Sequence, residues 1–344
     1  MQHFPAYDWT LLSLPARYFN WRIRGNSLSW SFNNRGVLQN NYDLIIATSM
    51  TDLHGLFGFL PEMARTPSLL YFHENQFEYP LSENARDNVE PRLVPIYSAL
   101  CATRVCFNSH YNFETFMLGL KQLLKKLPDH VPSDIENMIK SKSQILPVPI
   151  ADNCFSTARE NKKHFAIVWN HRWEYDKWPE CFFSAMRILK DSGCHFKLHI
   201  LGQQFDNIPD VFSDAASYFA DEIIHWGRVD DEQAYRNVLR SAQAVVSTAI
   251  HDFQGIAVLE AVACGCIPVV PDRLAYRELF AEQYRYASCE NDLPQQAEIL
   301  ANYLEKLYAK FQQKNLDSAP DISSLNWCKM TAEYNALFEQ VLSG

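Results

Sequence analysis

No two cysteines of this chain stand in a C-x-x-C spacing, and the nine present (101, 106, 154, 181, 194, 264, 266, 289 and 328) are odd in number and irregularly placed. That argues against a disulfide framework. Cys264 and Cys266 flank Gly265 with no second pair nearby, which argues against a metal site as well. No apolar run is long enough to span a bilayer and no signal peptide is legible, so a cytoplasmic protein with reduced thiols is expected. Glycine (11) and proline (17) are too sparse for a disordered chain. Positive charge is also short: 31 Lys and Arg against 40 Asp and Glu leave a net charge of −9. Broad, sequence-independent nucleic-acid binding is thereby disfavoured, although a local basic patch is still compatible. No internal repeat or low-complexity tract is visible.

What is there suits two globular domains. A length of 344 residues exceeds what one hydrophobic core usually supports, and 47% hydrophobic residues supply material for two. Short apolar runs recur, each followed by a helical or loop segment: TLLSL from Thr10, DLIIATS from Asp43, SLLYFHEN from Ser68, RVCFNS from Arg104 and QILPVPI from Gln144. A second series holds FAIVWN from Phe165, FKLHILG from Phe196, EIIHWG from Glu222, AVVSTA from Ala244 and IPVVP from Ile267. Runs that are apolar throughout predict parallel strands covered by helices on both faces. The series divide near PVPIADNCF (147–155), where two prolines suit a linker. The expectation is an α/β protein of two Rossmann-like, doubly wound domains, 1–150 and 151–344, facing each other across a cleft, with a terminal helix from about 327. The opening QHFPAYDWTLLSLP looks like the tail of a helix entering a second strand, so the first βα unit is expected to be missing or the natural start to lie upstream of Met1.

Ligands in such sheets sit beyond the carboxyl ends of the strands, where the charged segments fall. WNHRWEYDKWPE places Arg172 and Lys177 just after FAIV. Fixed cations there suit a diphosphate leaving group, whose negative charge grows as its bond breaks. The competing explanation is a solvated loop with local Arg172–Glu174 or Lys177–Asp176 pairs. HDFQGIAVLEAVACGC places Asp252 and Glu260 eight residues apart across Gly255, which opens an apolar helix. Phe253, Gln254 and Gly255 read as a loop in which Gly255 lets the backbone approach a ligand closely, and the free N–H groups at the start of the helix from Ile256 favour a phosphate. Glu260, one turn into an apolar helix, needs a partner, and ribose hydroxyls or a neighbouring basic residue supply one. Together these residues describe a nucleotide-sugar site.

In the first half, YFHENQFEYP (71–80) puts His73 at a strand end, followed by the polar Asn75 and Gln76. FNSHYN adds Asn108 and Ser109 after another strand, and His73, Asn75, Gln76, Asn108 and Ser109 are expected to form a polar edge toward the acceptor, with Ser109 equally suited to capping a helix. LPARYFNWRIRGNSLSW interleaves Arg17, Arg22 and Arg24 with Tyr18, Phe19, Trp21 and Trp30. Guanidinium groups beside aromatic planes suit a phosphate backbone with unstacked bases, and an amphipathic helix explains the same pattern.

These segments carry a resemblance. Arg172 and Lys177, the Asp252/Glu260 spacing and AVACGCIPVV resemble the retaining GT-B glycosyltransferases of family 4. LPARYFNWRIRG, DLIIATSMTDLHGLFGFLP, YFHENQFEYP and FNSHYN resemble the tRNA-queuosine α-mannosyltransferase family. The resemblance implies GDP-mannose as donor, queuosine in the anticodon of tRNA-Asp as acceptor, and retention at the anomeric carbon. It assigns the diphosphate to Arg172 and Lys177, the ribose to Glu260, and the sugar to Asp252 with the 253–256 backbone. His73 would line the reaction centre, and no metal or cofactor is implied. Asp252 departs from the family-4 pattern, which usually has Glu there. Three alternatives stand beside this one: a family-4 enzyme with another nucleotide sugar and a carbohydrate acceptor, a non-catalytic tRNA-binding protein on the same scaffold, and a nucleotide-sugar epimerase.

Overall fold

A computed structural model of the chain describes residues 2–15, 17–78, 89–155, 164–204 and 208–343, without the side chains of Phe19 and Asn20. It divides into two compact units, Met1–Pro147 with Met330–Gly344, and Val148–Lys329.

The first unit is built on four parallel strands in the order β1-β2-β3-β4: Ile45–Thr48, Ser68–Phe72, Arg104–Phe107 and Ser143–Ile145. Every residue of β2 is buried, as its unbroken apolar run predicts. Its Phe72 stacks on Phe107 of β3 at 4.5 Å and meets Phe116 of the helix His110–Lys126 edge-on at 4.8 Å. The run at Thr10 joins no strand, and its Leu11 is 70% exposed, so it lacks the continuous burial that marks the others.

The terminal helix, Trp327–Ser343, corrects the expected boundary. From Met330 onward it belongs to the first unit, because Met330, Tyr334, Leu337, Phe338 and Val341 form one buried face. Tyr334 donates to the Pro147 carbonyl at 3.0 Å, and Phe338 meets Phe4 edge-on at 5.4 Å.

The second unit has six parallel strands in the order β10-β9-β8-β5-β6-β7. They are β5 Phe165–Asn170, β6 Phe196–Leu201, β7 Ile223–Gly227, β8 Ala244–Val246, β9 Ile267–Pro271 and β10 Arg285–Tyr286. The chain winds from β5 outward to β7, then returns to place β8 on the other side of β5, with Val168 opposite Val245. That reversal is a topological switch point, and it brings together the loops leaving β5 and β8. Trp169, Phe182, Phe183 and Phe212 fill the core beneath.

Candidate functional site

The loops after β5 and β8 are tied together by hydrogen bonds. The Ile250 N–H donates to the Asp176 carbonyl at 2.9 Å, and Thr248 Oγ1 donates to the Lys177 carbonyl at 2.7 Å. Trp169 Nε1 in turn donates to Thr248 Oγ1 at 3.2 Å. Trp173, stacked on Phe212 at 4.1 Å, anchors the middle of the first loop. Trp178 ends it in the left-handed region (φ 51°), and Pro179 starts the helix Pro179–Asp191.

Lys177 is buried, at 7% exposure, and therefore needs partners. Its Nζ donates to the His251 carbonyl and lies 3.1 Å from Asp176 Oδ2. The third N–H bonds to none of the described residues. Burial alone would raise the Asp176 carboxyl; the His251 imidazole, 3.6 Å from Oδ2, and the Lys177 charge outweigh it and hold the pKa at about 2. His171 beside them is driven down to about 4 by burial and by the Lys177 charge. Arg172 is half exposed and pairs with Glu174 at 3.1 Å. Both local pairs weighed against phosphate contact are thus present, yet only Arg172 sits on a solvated loop.

Asp252 holds the turn that precedes the helix Ile256–Ala263. Its Oδ1 accepts the Gly255 N–H at 2.8 Å and its Oδ2 accepts the Tyr276 hydroxyl at 3.0 Å. Tyr276 has one proton and gives it to the carboxylate, so Ser247 donates the 2.8 Å bond between their hydroxyls. Burial pushes the Asp252 carboxyl upward, but Lys177, His171 and these donors prevail and lower its pKa. Gly255 stands at φ 68°, and a Cβ there would come within 2.8 Å of Tyr276 Cε1. Arg273, 5% exposed, braces the same loop by donating to the carbonyls of Ala249 and Thr248, each at 2.9 Å.

The other residues around Gly255 differ in role. The Gln254 side chain is bonded to the Val148 backbone, accepting its N–H at 2.9 Å and donating to its carbonyl at 2.8 Å. Its buried amide is therefore a clamp on the segment that starts this unit. Phe253 is buried against His251, with ring centroids 4.9 Å apart, whereas Ile256 is exposed. Glu260 accepts a 2.7 Å hydrogen bond from Tyr235, which itself accepts from Asn170 Nδ2 at 2.7 Å. Burial raises the Glu260 pKa, and the Tyr235 hydrogen bond and the Arg236 charge only partly offset this. The expected basic partner is thus subordinate to a tyrosine. Asn170 and Tyr235 also line a recess of about 270 Å³ with Leu201, Gly202, Gln203 and Arg228. A buried ammonium with a spare proton, a half-exposed guanidinium, a helix start and a carboxylate suit an anionic ligand that carries hydroxyls.

In the first unit His73 is exposed beyond β2, its ring 4.6 Å from Tyr71. The neighbouring polar residues turn inward. Asn108 Nδ2 donates to the His73 carbonyl at 2.9 Å, and its Oδ1 accepts from Asn112 at 2.8 Å. Asn75 donates to Asn112 Oδ1 at 2.9 Å and accepts the Phe77 N–H at 3.0 Å. Ser109 caps the helix His110–Lys126 by accepting the Asn112 N–H at 3.0 Å. Asn75, Asn108 and Ser109, expected at the acceptor, are buried and shape the loop that presents His73. Gln76 is also buried, with its amide 3.5 Å from Met50 Sδ. Tyr79 and Pro80, which end that segment, lie outside the described residues.

Of the three arginines, Arg17 is exposed, its guanidinium 5.5 Å from the Tyr18 ring centre, and Arg22 is half-buried. Arg24 is occupied, with Nη1 donating to His54 Nε2 at 3.1 Å and Nε 3.3 Å from Glu90. Among the described residues no group of three His, Cys, Asp or Glu could hold a metal ion, and no helix is long and apolar enough to cross a membrane.

Comparison with known proteins fits this architecture. Residues 1–150 match the family model described as tRNA-queuosine alpha-mannosyltransferase N-terminal, and residues 152–315 match that of the glycosyl transferases group 1. A tRNA-queuosine alpha-mannosyltransferase of Drosophila melanogaster is 30% identical over 289 residues, which is 81% of this chain and 76% of the fly protein. The solved sucrose-phosphate synthase of Thermosynechococcus elongatus is similar with a TM-score of 0.67 at 13% identity, over 96% of this chain and 81% of that one. HepE of Anabaena, solved in complex with UDP, gives 0.66 at 15%, over 89% and 81%. At such identity the likeness speaks for the fold alone, an α/β fold of the GT-B class. The fly relative and the paired family models say more: the chain is a glycosyltransferase and belongs to the tRNA-queuosine α-mannosyltransferase family.

Proposed function

We propose that the protein transfers mannose from GDP-mannose to queuosine in the anticodon of tRNA-Asp, with retention at the anomeric carbon. The observation that carries the reading is the buried Lys177 at the switch point of the second unit, with an N–H to spare and Glu260 in the adjoining helix. The bond from the anomeric carbon to the β-phosphate oxygen breaks as a cyclopentenediol oxygen of queuosine bonds to the same face. The hydroxyl proton passes to the departing diphosphate. Lys177 and Arg172 stabilise the charge that grows on that diphosphate, Arg172 by exchanging Glu174 for phosphate oxygens. Asp252 keeps the turn at Gly255 in place for the backbone of residues 253–256 to meet the sugar, and its remaining lone pairs accept from sugar hydroxyls. Glu260 accepts from the ribose. Fixed cations here take the part that a divalent ion plays in other transferases. His73 serves the acceptor, and Arg17, Arg22 and Arg24 form the tRNA-facing basic patch.

The test is a nucleoside mass analysis of queuosine-containing tRNA after incubation with the protein and GDP-mannose, GDP-glucose or UDP-sugars. A hexose added to queuosine with GDP-mannose alone supports the proposal. Transfer from another donor corrects the sugar or the base. No transfer from any of them contradicts the proposal.

A further inference from the structure

Glu260 lies in a helix that is otherwise apolar, and what holds its carboxylate comes from another element. Tyr235 belongs to the helix Glu232–Ser241, which is capped by Asp231 through the Ala234 N–H at 2.7 Å. Its hydroxyl has one proton and two partners. Asn170 offers an amide NH₂, which can only donate, so the tyrosine proton must point at Glu260 Oε2, 2.7 Å away. Asn170 Nδ2 also donates to the Ala257 carbonyl at 3.0 Å, which ties the end of β5 to the first turn of the helix bearing Glu260. The hydrogen bonds therefore run one way, from Asn170 through Tyr235 to Glu260. The second carboxylate oxygen, Oε1, accepts from none of the described residues. Nearby charges are Arg236 and Glu232, which themselves pair at 3.2 Å.

We infer that Tyr235 is a positioning residue that locks the Glu260 carboxylate in one orientation and presents Oε1 to a ribose hydroxyl of a nucleoside diphosphate, so that ribose selectivity depends on a residue outside the ligand-binding loops. This rests on the reading of Glu260 as the ribose contact. A carboxylate fixed on one oxygen meets a hydroxyl without losing further freedom, whereas an unlocked one must be ordered by the ligand. Removing the tyrosine hydroxyl should weaken the ribose contact while the recess lined by Asn170, Leu201, Gly202, Gln203 and Arg228 keeps its walls.

The experiment is calorimetric titration of the full chain with GDP and 3′-deoxy-GDP, and in parallel with UDP and 3′-deoxy-UDP. Wild type is expected to prefer the ribonucleotide by roughly tenfold or more, the scale of a hydrogen bond to a charged group. Tyr235→Phe should reduce that preference to about threefold or less, with affinity for the deoxy compound unchanged. A tyrosine that merely packs would weaken both ligands equally, and an unchanged ratio overturns the inference while leaving Glu260 at the ribose. A wild-type ratio of one, with tight binding of both and no preference for GDP over 2′-deoxy-GDP either, removes Glu260 from the ribose and overturns both. Binding of the uridine pair alone corrects the base, and its ratio then carries the same test; binding of neither pair overturns both. If Tyr235→Phe shows no cooperative melting transition, Tyr235→His replaces it, because its ring ends short of the tyrosine hydroxyl: a reduced ratio supports the lock and an unchanged one overturns it.

Discussion

Lys177 donates a hydrogen bond to the main-chain carbonyl of His251, 74 residues further along the chain, and so stitches the loop after β5 to the loop after β8. The same ammonium is also the cation best placed to meet a phosphate, which makes one side chain both a brace and a candidate ligand contact. Its partner Asp176 accounts for why so buried a charge is tolerated.

Gly255→Ala should lower stability by about 1–3 kcal/mol, because the left-handed backbone is strained for alanine and the new methyl meets the Tyr276 ring. Gly193→Ala is the control: φ is 83° there too, but the methyl would meet nothing within 4 Å. Urea denaturation of both variants checks this. Equal losses would mean that the Tyr276 contact contributes nothing.

The acid limb of stability should have two stages. His171 and His199 are buried with pKa values of about 4, lowered by desolvation and then by Lys177 and His225 respectively. A folded value below the unfolded one, about 6.5, gives stability that is complete above that value and is lost as pH falls through the folded pKa. Asp176, at about 2, adds stability that is lost below about pH 4 as pH falls through its folded value. His171→Gln should therefore remove about 2 kcal/mol of the loss between pH 7 and pH 5. Denaturant titrations at those two pH values check it, and an unaltered difference would show that His171 takes up its proton equally in the folded and unfolded states.

Arg17→Gln and Arg22→Gln should weaken tRNA binding and flatten its dependence on salt, each by about 0.7–1 in the slope of log affinity against log salt. Arg24→Gln should act partly through stability, since Arg24 already engages His54 and Glu90. Affinity measured across a range of salt separates these effects. Unchanged slopes for Arg17 and Arg22 would make that segment structural.

The fold was legible wherever an apolar run is continuous, as in SLLYF and FAIVWN, because full burial leaves that mark. The two residues of β10 are too few to show a pattern, and TLLSL has the composition of a strand without the burial. Arg172, Lys177, Asp252 and Glu260 stand out because each lies in a short loop or on an apolar helix beside its strand end. Tyr235, Tyr276 and Arg273 do not, because they reach Glu260, Asp252 and Thr248 from 24 or 25 positions away and belong to no local motif. Asn75 and Asn108 mislead in the other direction. Polar residues after a strand resemble a binding rim, but here buried main-chain groups require them. The terminal helix shows its apolar face in sequence, yet nothing in that face says which core it will cover.

The measurement that bears most directly on the account is single-turnover hexose transfer to queuosine-containing tRNA by wild type and Lys177→Ala at saturating GDP-mannose, with thermal melting as the control for folding. Loss of one fixed donor at a developing oxyanion predicts a fall of about a hundredfold or more in a variant that still melts cooperatively. Transfer at the wild-type rate by that folded variant would contradict a phosphate-stabilising role for Lys177.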